Sequence, residues 1–423
     1  MDICIEPRVL SGTIRAISSK SDVHRLMIGA ALAKGTSHIR FTTLSEDIAA
    51  TIGATRMMGA TLTLDGSDGN YDLAVTGLSK TPRGAVLYAH ECGTTARLLL
   101  PVAATLCDSF TMTGSVGLAK RPFKELCDCM AQNGSTCSSD FLPIKTSGRL
   151  CGGIYKIRGD ISSQYISGLL FALPLLESDS EIRLTTPLVS AGYIDMTLRT
   201  LARFNIKVEK TSFGFRVRGN QTYRPLSEIY AEGDWSNATF WLAAGAIGEK
   251  LTVSGLDKNS LQKDKDVLDI LQKAGTTVRG DTDIAVENTA LRGTNLCGED
   301  IPDALPALAT VLALANGKSI ITGGSRLRIK ESDRIKTTVE MLKTLGADIE
   351  GTDDGFIING VNSFTGGTVD AANDHRIAMC AAIASQRASG DVIIKGAECV
   401  NKSYPTFFED FKKLGGKYSV IIG

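Results

Sequence analysis

At 423 residues the chain is long enough for two or three domains, and its 43% hydrophobic and 22% charged residues are those of an ordinary globular protein. Lysine plus arginine and aspartate plus glutamate both number 46, so the net charge is zero. That excludes a general binder of nucleic acid or of acidic membrane surfaces, leaving room for local charged pockets. No apolar stretch is long enough to span a bilayer.

The chain opens on MDICIEPRVLSG, which lacks the basic and apolar regions of a signal peptide and the Arg/Ser-rich character of a transit segment. A cytoplasmic location is expected. The ten cysteines are scattered, with only Cys127 and Cys129 close together. There is no C-x-x-C pair and no Cys/His cluster with zinc spacing, so free thiols in a reducing compartment and no metal site are expected.

DICIEPRVL reads as a strand with no unit of its own. Six apolar, buried helices then begin, in chain order, at SSKSDVHRLMIGAALA, HECGTTARLLLPVAA, GDISSQYISGLLFAL, EGDWSNATFWLAAGA, GEDIPDALPALATVL and ANDHRIAMCAAIAS. Each leads to a short strand, such as SIITGG, then an amphipathic helix, then two strands, as in ADIEGTDDGFIINGV. The amphipathic helices end at Gly59, Gly134, Asn205, Gly275, Gly346 and Gly415, which are 69 to 75 residues apart. Glycine and asparagine accept the left-handed conformation that ends a helix, so this period marks a structural repeat.

The pattern predicts an α/β chain of six pseudo-equivalent β/α units. The last unit, ending KYSVIIG, is one strand short, and the N-terminal strand is expected to complete it. Two lobes of three units follow: residues 1–15 with 227–423, and residues 16–226. The chain would cross between them near Gly12–Ser18 and near Tyr223–Ser227. If the helix starts face each other across these lobes, they line a cleft that would be the active site.

The starts of the apolar helices carry the chemistry. Ser, Thr, Asp and Asn belong there as caps. Lys20, Arg25, Arg97, His375 and Arg376 do not, because a helix N-terminus disfavours cations. An anion shared between the backbone N–H groups and these side chains would explain them. For the last junction alone, Asp374 pairing with Arg376 at the surface explains the residues equally well. For the whole set, a bound anion explains more.

A second series opens the amphipathic helices: LAKRPFKEL, SAGYIDMTL, RIKESDRIKTTVEML and NKSYPTFFEDF. Glu331 lies three residues and Lys330 four residues before Arg334, so all can share one helix side. Arg326, Arg328, Lys330 and Arg334 concentrate positive charge after an apolar strand. With the carboxylates of Asp303 and Glu331 they suit a multiply anionic substrate and proton transfer. Neither a G-x-x-x-x-G-K-[ST] loop nor a strand-borne G-x-G-x-x-G occurs, so nucleotide-driven phosphoryl transfer has no support.

Ten pieces in order, SSKSDVHR, CGTTAR, KRPF, DISSQ, GYID, EGDWSNA, IPDA, RIKESDRI, NDHRIAM and NKSYPTFF, resemble the EPSP synthase family of enolpyruvyl transferases over nearly the whole chain. The resemblance implies two lobes of three units and transfer of the enolpyruvyl group of phosphoenolpyruvate to the 5-hydroxyl of shikimate 3-phosphate. It implies no metal and no organic cofactor; a monomer, with no nucleic-acid or membrane partner, is expected. It assigns shikimate 3-phosphate to Lys20, Ser21, Arg25, Ser162, Ser163, Gln164, Ser190, Tyr193, Asp303, Arg326 and Lys330. It assigns phosphoenolpyruvate to Lys20, Gly93, Arg121, Gln164, Arg334, Arg376 and Lys402. Asp303, Glu331 and Lys20 are the implied catalytic groups: Asp303 as base at the hydroxyl, and Glu331 or Lys20 as proton donor to the methylene carbon. Glu91 and Arg326 depart from the family pattern, each standing where many or some members have Asn.

Three other readings fit parts of the pattern. An enolpyruvyl transferase acting on a UDP-sugar shares the architecture, but the Ser-Ser-Gln and KESDR pieces match the shikimate branch. An RNA 3′-phosphate cyclase-like protein would use His375 as nucleotidyl carrier, and the balanced charge weighs against it. A silent scaffold binding an anionic metabolite would not need both Asp303 and Glu331.

Overall fold

The computed structural model describes residues 1–67, 69–78 and 84–421. The chain divides into two compact units, Met1–Ser19 with Glu232–Gly423, and Lys20–Ala231. The divisions fall after Ser19 and Ala231, beyond the positions 15 and 226 expected from the sequence. The two passages run side by side there: Ser18 bridges Gly233 in antiparallel fashion, and the Ser19 N–H donates to the Glu232 carbonyl at 2.7 Å.

Each unit holds three four-stranded sheets of one topology, in which one parallel pair is followed by two antiparallel ones. The strand Ile154–Ile157, for example, runs parallel to Ser180–Leu184, which pairs antiparallel with Gly214–Val217. The N-terminal strand Asp2–Glu6 inserts between Val392–Lys395 and Lys417–Ile421, with Ile3 opposite both Ile394 and Val420. Its alternation explains the fit: Ile3 and Ile5 are fully buried, while Asp2, Cys4 and Glu6 face outward to differing degrees.

At the two passages the edge strands are exchanged. Gly12–Arg15 precedes the helix Lys20–Leu32 but pairs in parallel with Leu251–Ser254. Ile229–Tyr230 precedes the helix Trp235–Ile247 but pairs with Thr36–Phe41. Each unit thus completes one sheet with a strand that leads into a helix of the other.

The six punctuating residues all end helices in the left-handed region, with φ from 65° at Asn205 to 103° at Gly59. The six apolar helices, Lys20–Leu32, Gly93–Leu106, Ser163–Ala172, Trp235–Ile247, Leu305–Leu312 and His375–Ala384, form the interior of their units. All ten residues of His375–Ala384 are buried, so its polar first turn is fixed by the packing of everything after it. Gly168 marks a close helix approach: a Cβ there would lie 2.5 Å from the Arg97 carbonyl. That crossing brings the start of Ser163–Ala172 beside the first turn of Gly93–Leu106.

Candidate active site

In the unit containing both termini, four cations and three carboxylates form one network. Asp303 sits in the 3-10 turn Pro302–Ala304 that enters the helix Leu305–Leu312. Lys330 and Glu331 follow the 3-10 turn Ser325–Ile329, and Arg334 is the first residue of Arg334–Thr344, capped by Asp333. Asp374 caps His375–Ala384, accepting from the Arg376 N–H at 3.0 Å. It is reached through Ala372 and Asn373, both left-handed with φ of 51° and 54°. Two such residues in succession cost conformational energy and aim the cap inward. Lys402 ends the turn Ala397–Lys402.

Arg334 is the hub. It is 1% exposed and donates to Asp303 Oδ1, Glu331 Oε2 and Asp374 Oδ2, each at 2.7 Å. Lys330 Nζ lies 3.1 Å from Asp303 Oδ1, and Lys402 Nζ lies 3.3 Å from Glu331 Oε1. Arg376 donates to the Asp303 carbonyl at 2.9 Å and to Ser236 Oγ at 2.8 Å, and its Nε is buried with no hydrogen-bond partner. Burial alone would raise the Asp303 carboxyl, but Lys330, Arg376 and Arg334 hold it well below the usual carboxylate range. Burial pulls the Lys330 ammonium down, against the opposing effect of Asp303. Burial would likewise lower Arg334, but Asp374, Glu331 and Asp303 raise it.

Asp374 is therefore not a surface partner of Arg376. It is fully buried and binds Arg334 with both oxygens, at 2.7 and 3.2 Å. His375 is 2% exposed, with Nδ1 3.9 Å from Asp374 Oδ1. A nucleotidyl carrier needs an accessible imidazole, so that alternative loses its central residue.

In the other unit, Lys20 begins the helix Lys20–Leu32, and its Nζ lies 2.6 Å from Asp47 Oδ2. Arg25 is 2% exposed and donates to Thr197 Oγ1 at 2.8 Å, the Ser21 carbonyl at 2.7 Å and the Tyr193 carbonyl at 3.0 Å. Ser162 caps Ser163–Ala172 by accepting from the Gln164 N–H. Ser190, left-handed at φ 53°, precedes Ala191–Arg203. The Val189 N–H donates to the Gly159 carbonyl at 3.2 Å, so the starts of these two helices lie at one end. Ser162, Ser163 and Ser190 stand at these helix starts, where the dipole favours an anion.

Beside these helix starts, Arg97 donates to Gln164 Oε1 and Gln164 donates to Thr94 Oγ1, both at 2.9 Å. Gly93 opens the helix, and a Cβ there would stand 2.9 Å from an Arg97 nitrogen and 3.5 Å from an Arg121 nitrogen. The glycine leaves room for two guanidiniums.

The sequence-derived residues thus gather in two constellations, each within one unit. Lys20, Ser21, Arg25, Gly93, Arg121, Ser162, Ser163, Gln164, Ser190 and Tyr193 belong to the unit Lys20–Ala231. Asp303, Lys330, Glu331, Arg334, Arg376 and Lys402 belong to the other. Arg326 donates to the Glu299 carbonyl, and its charge acts on Lys330. The sequence marks Arg97 only as one of the cations facing an anion and Asp374 as a cap or a surface partner of Arg376, and assigns Asp47 no role; Asp374 is the cap. Arg97 carried a signal, as a cation in a helix first turn; Asp47, inside Glu46–Met57, carried none.

A family model described as EPSP synthase (3-phosphoshikimate 1-carboxyvinyltransferase) matches residues 5–411. The 3-phosphoshikimate 1-carboxyvinyltransferase of Clostridium kluyveri is 39% identical over 423 residues, covering 98% of this chain and 97% of its own length. That of Methanocaldococcus jannaschii is 38% identical over 420 residues, covering 97% of each. The solved EPSP synthase of Acinetobacter baumannii superposes with a TM-score of 0.80 at 27% identity, covering 99% of this chain and 100% of that one. The enolpyruvyl transferase NikO of Streptomyces tendae shares the fold, with a TM-score of 0.79 at 18% identity over 99% of this chain and 98% of its own. Among the described residues no helix is long and apolar enough to cross a membrane. The chain belongs to the EPSP synthase family, the 3-phosphoshikimate 1-carboxyvinyltransferases.

Proposed function

We propose that the two constellations carry out the family's reaction, transfer of the enolpyruvyl group of phosphoenolpyruvate to the 5-hydroxyl of shikimate 3-phosphate, with release of phosphate. The observation that carries the reading is Asp303, a carboxylate held ionised among Lys330, Arg334 and Arg376. A group in that state can accept a hydroxyl proton, and the cations around it can hold the anions of the second substrate.

In the addition step, Asp303 takes the proton of the 5-hydroxyl as its oxygen bonds to C2 of phosphoenolpyruvate. A proton from Glu331 or Lys20 goes to the methylene carbon, making it a methyl group. In the elimination step that methyl group returns its proton to the donor, the double bond re-forms, and phosphate leaves with the proton that Asp303 held. Arg334 and Lys402 flank the two oxygens of Glu331 and hold the carboxylate in place. Arg376 brings its partnerless Nε to an anion, and Arg334, Lys402, Arg121, Gly93 and Gln164 complete the phosphoenolpyruvate set. Lys20, Ser21, Arg25, Ser162, Ser163, Gln164, Ser190 and Tyr193 hold shikimate 3-phosphate together with Lys330. For Arg326, the hydrogen bond to Glu299 supports a role through charge rather than contact.

Phosphate release from phosphoenolpyruvate tests the reading. Release with shikimate 3-phosphate as acceptor, and none with a UDP-sugar, is the expected result. Release only with the UDP-sugar would transfer the chain to the other branch of enolpyruvyl transferases.

A further inference from the structure

One group of chemically matched side chains lies buried beside Lys20 with no part in the steps above. His24 comes from the helix Lys20–Leu32, Asp47 from Glu46–Met57, and Cys92 from the residue before Gly93. A ring nitrogen, a carboxylate oxygen and a sulfur of these three all lie within 4.8 Å of one another. The residues are 1%, 5% and 1% exposed. No motif announces them, because the three are far apart in the chain.

Imidazole, carboxylate and thiolate are the donor set of zinc-class ions. The imidazole is already oriented: His24 Nδ1 lies 2.7 Å from Thr51 Oγ1, which lies 2.5 Å from Thr95 Oγ1. That chain turns Nε2 toward Cys92 Sγ, 3.9 Å away. Histidines that bind metals are held in this way through the other ring nitrogen. A tetrahedral ion sets its N and S ligands about 3.6 Å apart, so the pair needs little movement. The Thr95 N–H donates to Cys92 Sγ at 3.4 Å, but burial and the neighbouring Asp47 push the thiol up to about 12, so the incoming ion itself has to displace the proton.

We propose that His24, Asp47 and Cys92 form a binding site for a thiophilic divalent cation of the zinc and cadmium class, and that the bound ion inhibits by drawing Asp47 away from Lys20. Charge balances within the group: the thiol releases one proton to solvent, and thiolate plus carboxylate offset the two charges of the ion. Lys20, whose Nζ is 2.6 Å from Asp47, loses its counter-ion and is repelled by the cation. The inhibition rests on the reading of Lys20 as a substrate ligand; the metal site does not.

Cadmium titration of the full chain tests the site through its thiolate-to-cadmium charge-transfer absorbance. Cys151 and Cys297 are exposed thiols, so the Cys151→Ser/Cys297→Ser chain is the parent. A single saturating equivalent is expected, lost on adding Cys92→Ser. Asp47→Asn keeps the thiol and should raise the cadmium needed for half-saturation by about tenfold or more; this variant decides the matter if Cys92→Ser does not fold. A band that survives Cys92→Ser, no band at one equivalent, or indifference to Asp47→Asn overturns the proposal. Turnover of the parent should fall with cadmium, and Cys92→Ser should resist. Cys92-dependent binding without inhibition would leave the metal site standing and remove Lys20 from the substrate ligands.

Discussion

Arg334 and Asp374 form a buried two-point ion pair, the guanidinium 1% and the carboxylate 0% exposed. The same carboxylate caps the helix that carries Arg376 and accepts from Ser332 Oγ at 2.9 Å. Asp374 therefore fixes two of the arginines assigned to phosphoenolpyruvate, one by direct pairing and one by setting its helix start. Asp374→Asn keeps the volume and removes the charge. Breaking a buried pair from one side costs about 3–5 kcal/mol, because the other charge is left uncompensated. We expect a lower denaturation midpoint together with a raised KM for phosphoenolpyruvate. A stability loss with unchanged KM in the folded fraction would make Asp374 purely structural.

Gly93→Ala should act mainly on one substrate. The added methyl would meet Arg97 at 2.9 Å and come within 3.5 Å of Arg121. Guanidiniums are the far ends of flexible side chains and can move, so the fold should survive. Arg121 is assigned to phosphoenolpyruvate and Arg97 positions Gln164, so the KM for phosphoenolpyruvate should rise by about tenfold or more while shikimate 3-phosphate binding changes less, as a lost charge-assisted contact implies. Equal weakening of both substrates would contradict the assignment of Gly93 and Arg121.

The reach of the sequence can be judged from particular residues. The repeat was legible because Gly59, Gly134, Asn205, Gly275, Gly346 and Gly415 all need positive φ, a local demand that restricts residue choice. The place of Asp2–Glu6 was legible because the sixth unit lacked a strand and Ile3 and Ile5 alternate. The place of Ile229–Tyr230 in the unit Lys20–Ala231 was not, since a two-residue strand carries no pattern naming the sheet it joins. Arg334, Arg376 and Lys330 stood out as cations massed near helix starts, against the dipole. The partner of Asp374 did not, because pairing across 40 residues is set by packing. His24, Asp47 and Cys92 are brought together by the same long-range packing.

The Lys330–Asp303 pair makes a pH prediction. Burial lowers Lys330 and Asp303 opposes it. The charged form holds an anion, so the contribution of Lys330 to shikimate 3-phosphate affinity is present below its folded pKa and lost as pH rises through it. Asp303→Asn removes the opposing carboxylate, so Lys330 should fall further. The alkaline loss of shikimate 3-phosphate affinity should therefore move to lower pH in Asp303→Asn, measured by direct binding so that lost turnover does not interfere. A limb that stays in place would mean that another group controls it.

Glu331→Gln should separate binding from chemistry. The side chain is held by Arg334 at 2.7 Å and Lys402 at 3.3 Å, and glutamine keeps its volume and its acceptor oxygen. What it loses is the capacity to carry a proton. It also removes a negative charge from among the cations, so anionic substrates should bind as well as before or slightly more tightly. Turnover should fall by about 10²–10⁴-fold, the usual contribution of general acid–base catalysis. Asp303→Asn should also slow the reaction, but at the 5-hydroxyl. The two are distinguished by following solvent deuterium into the methylene group of phosphoenolpyruvate during slow turnover. That exchange requires proton transfer at carbon, so it should be suppressed in Glu331→Gln. Near-normal turnover and exchange in Glu331→Gln would reduce Glu331 to a counter-ion for Arg334 and Lys402. The proton at carbon would then have to come from Lys20.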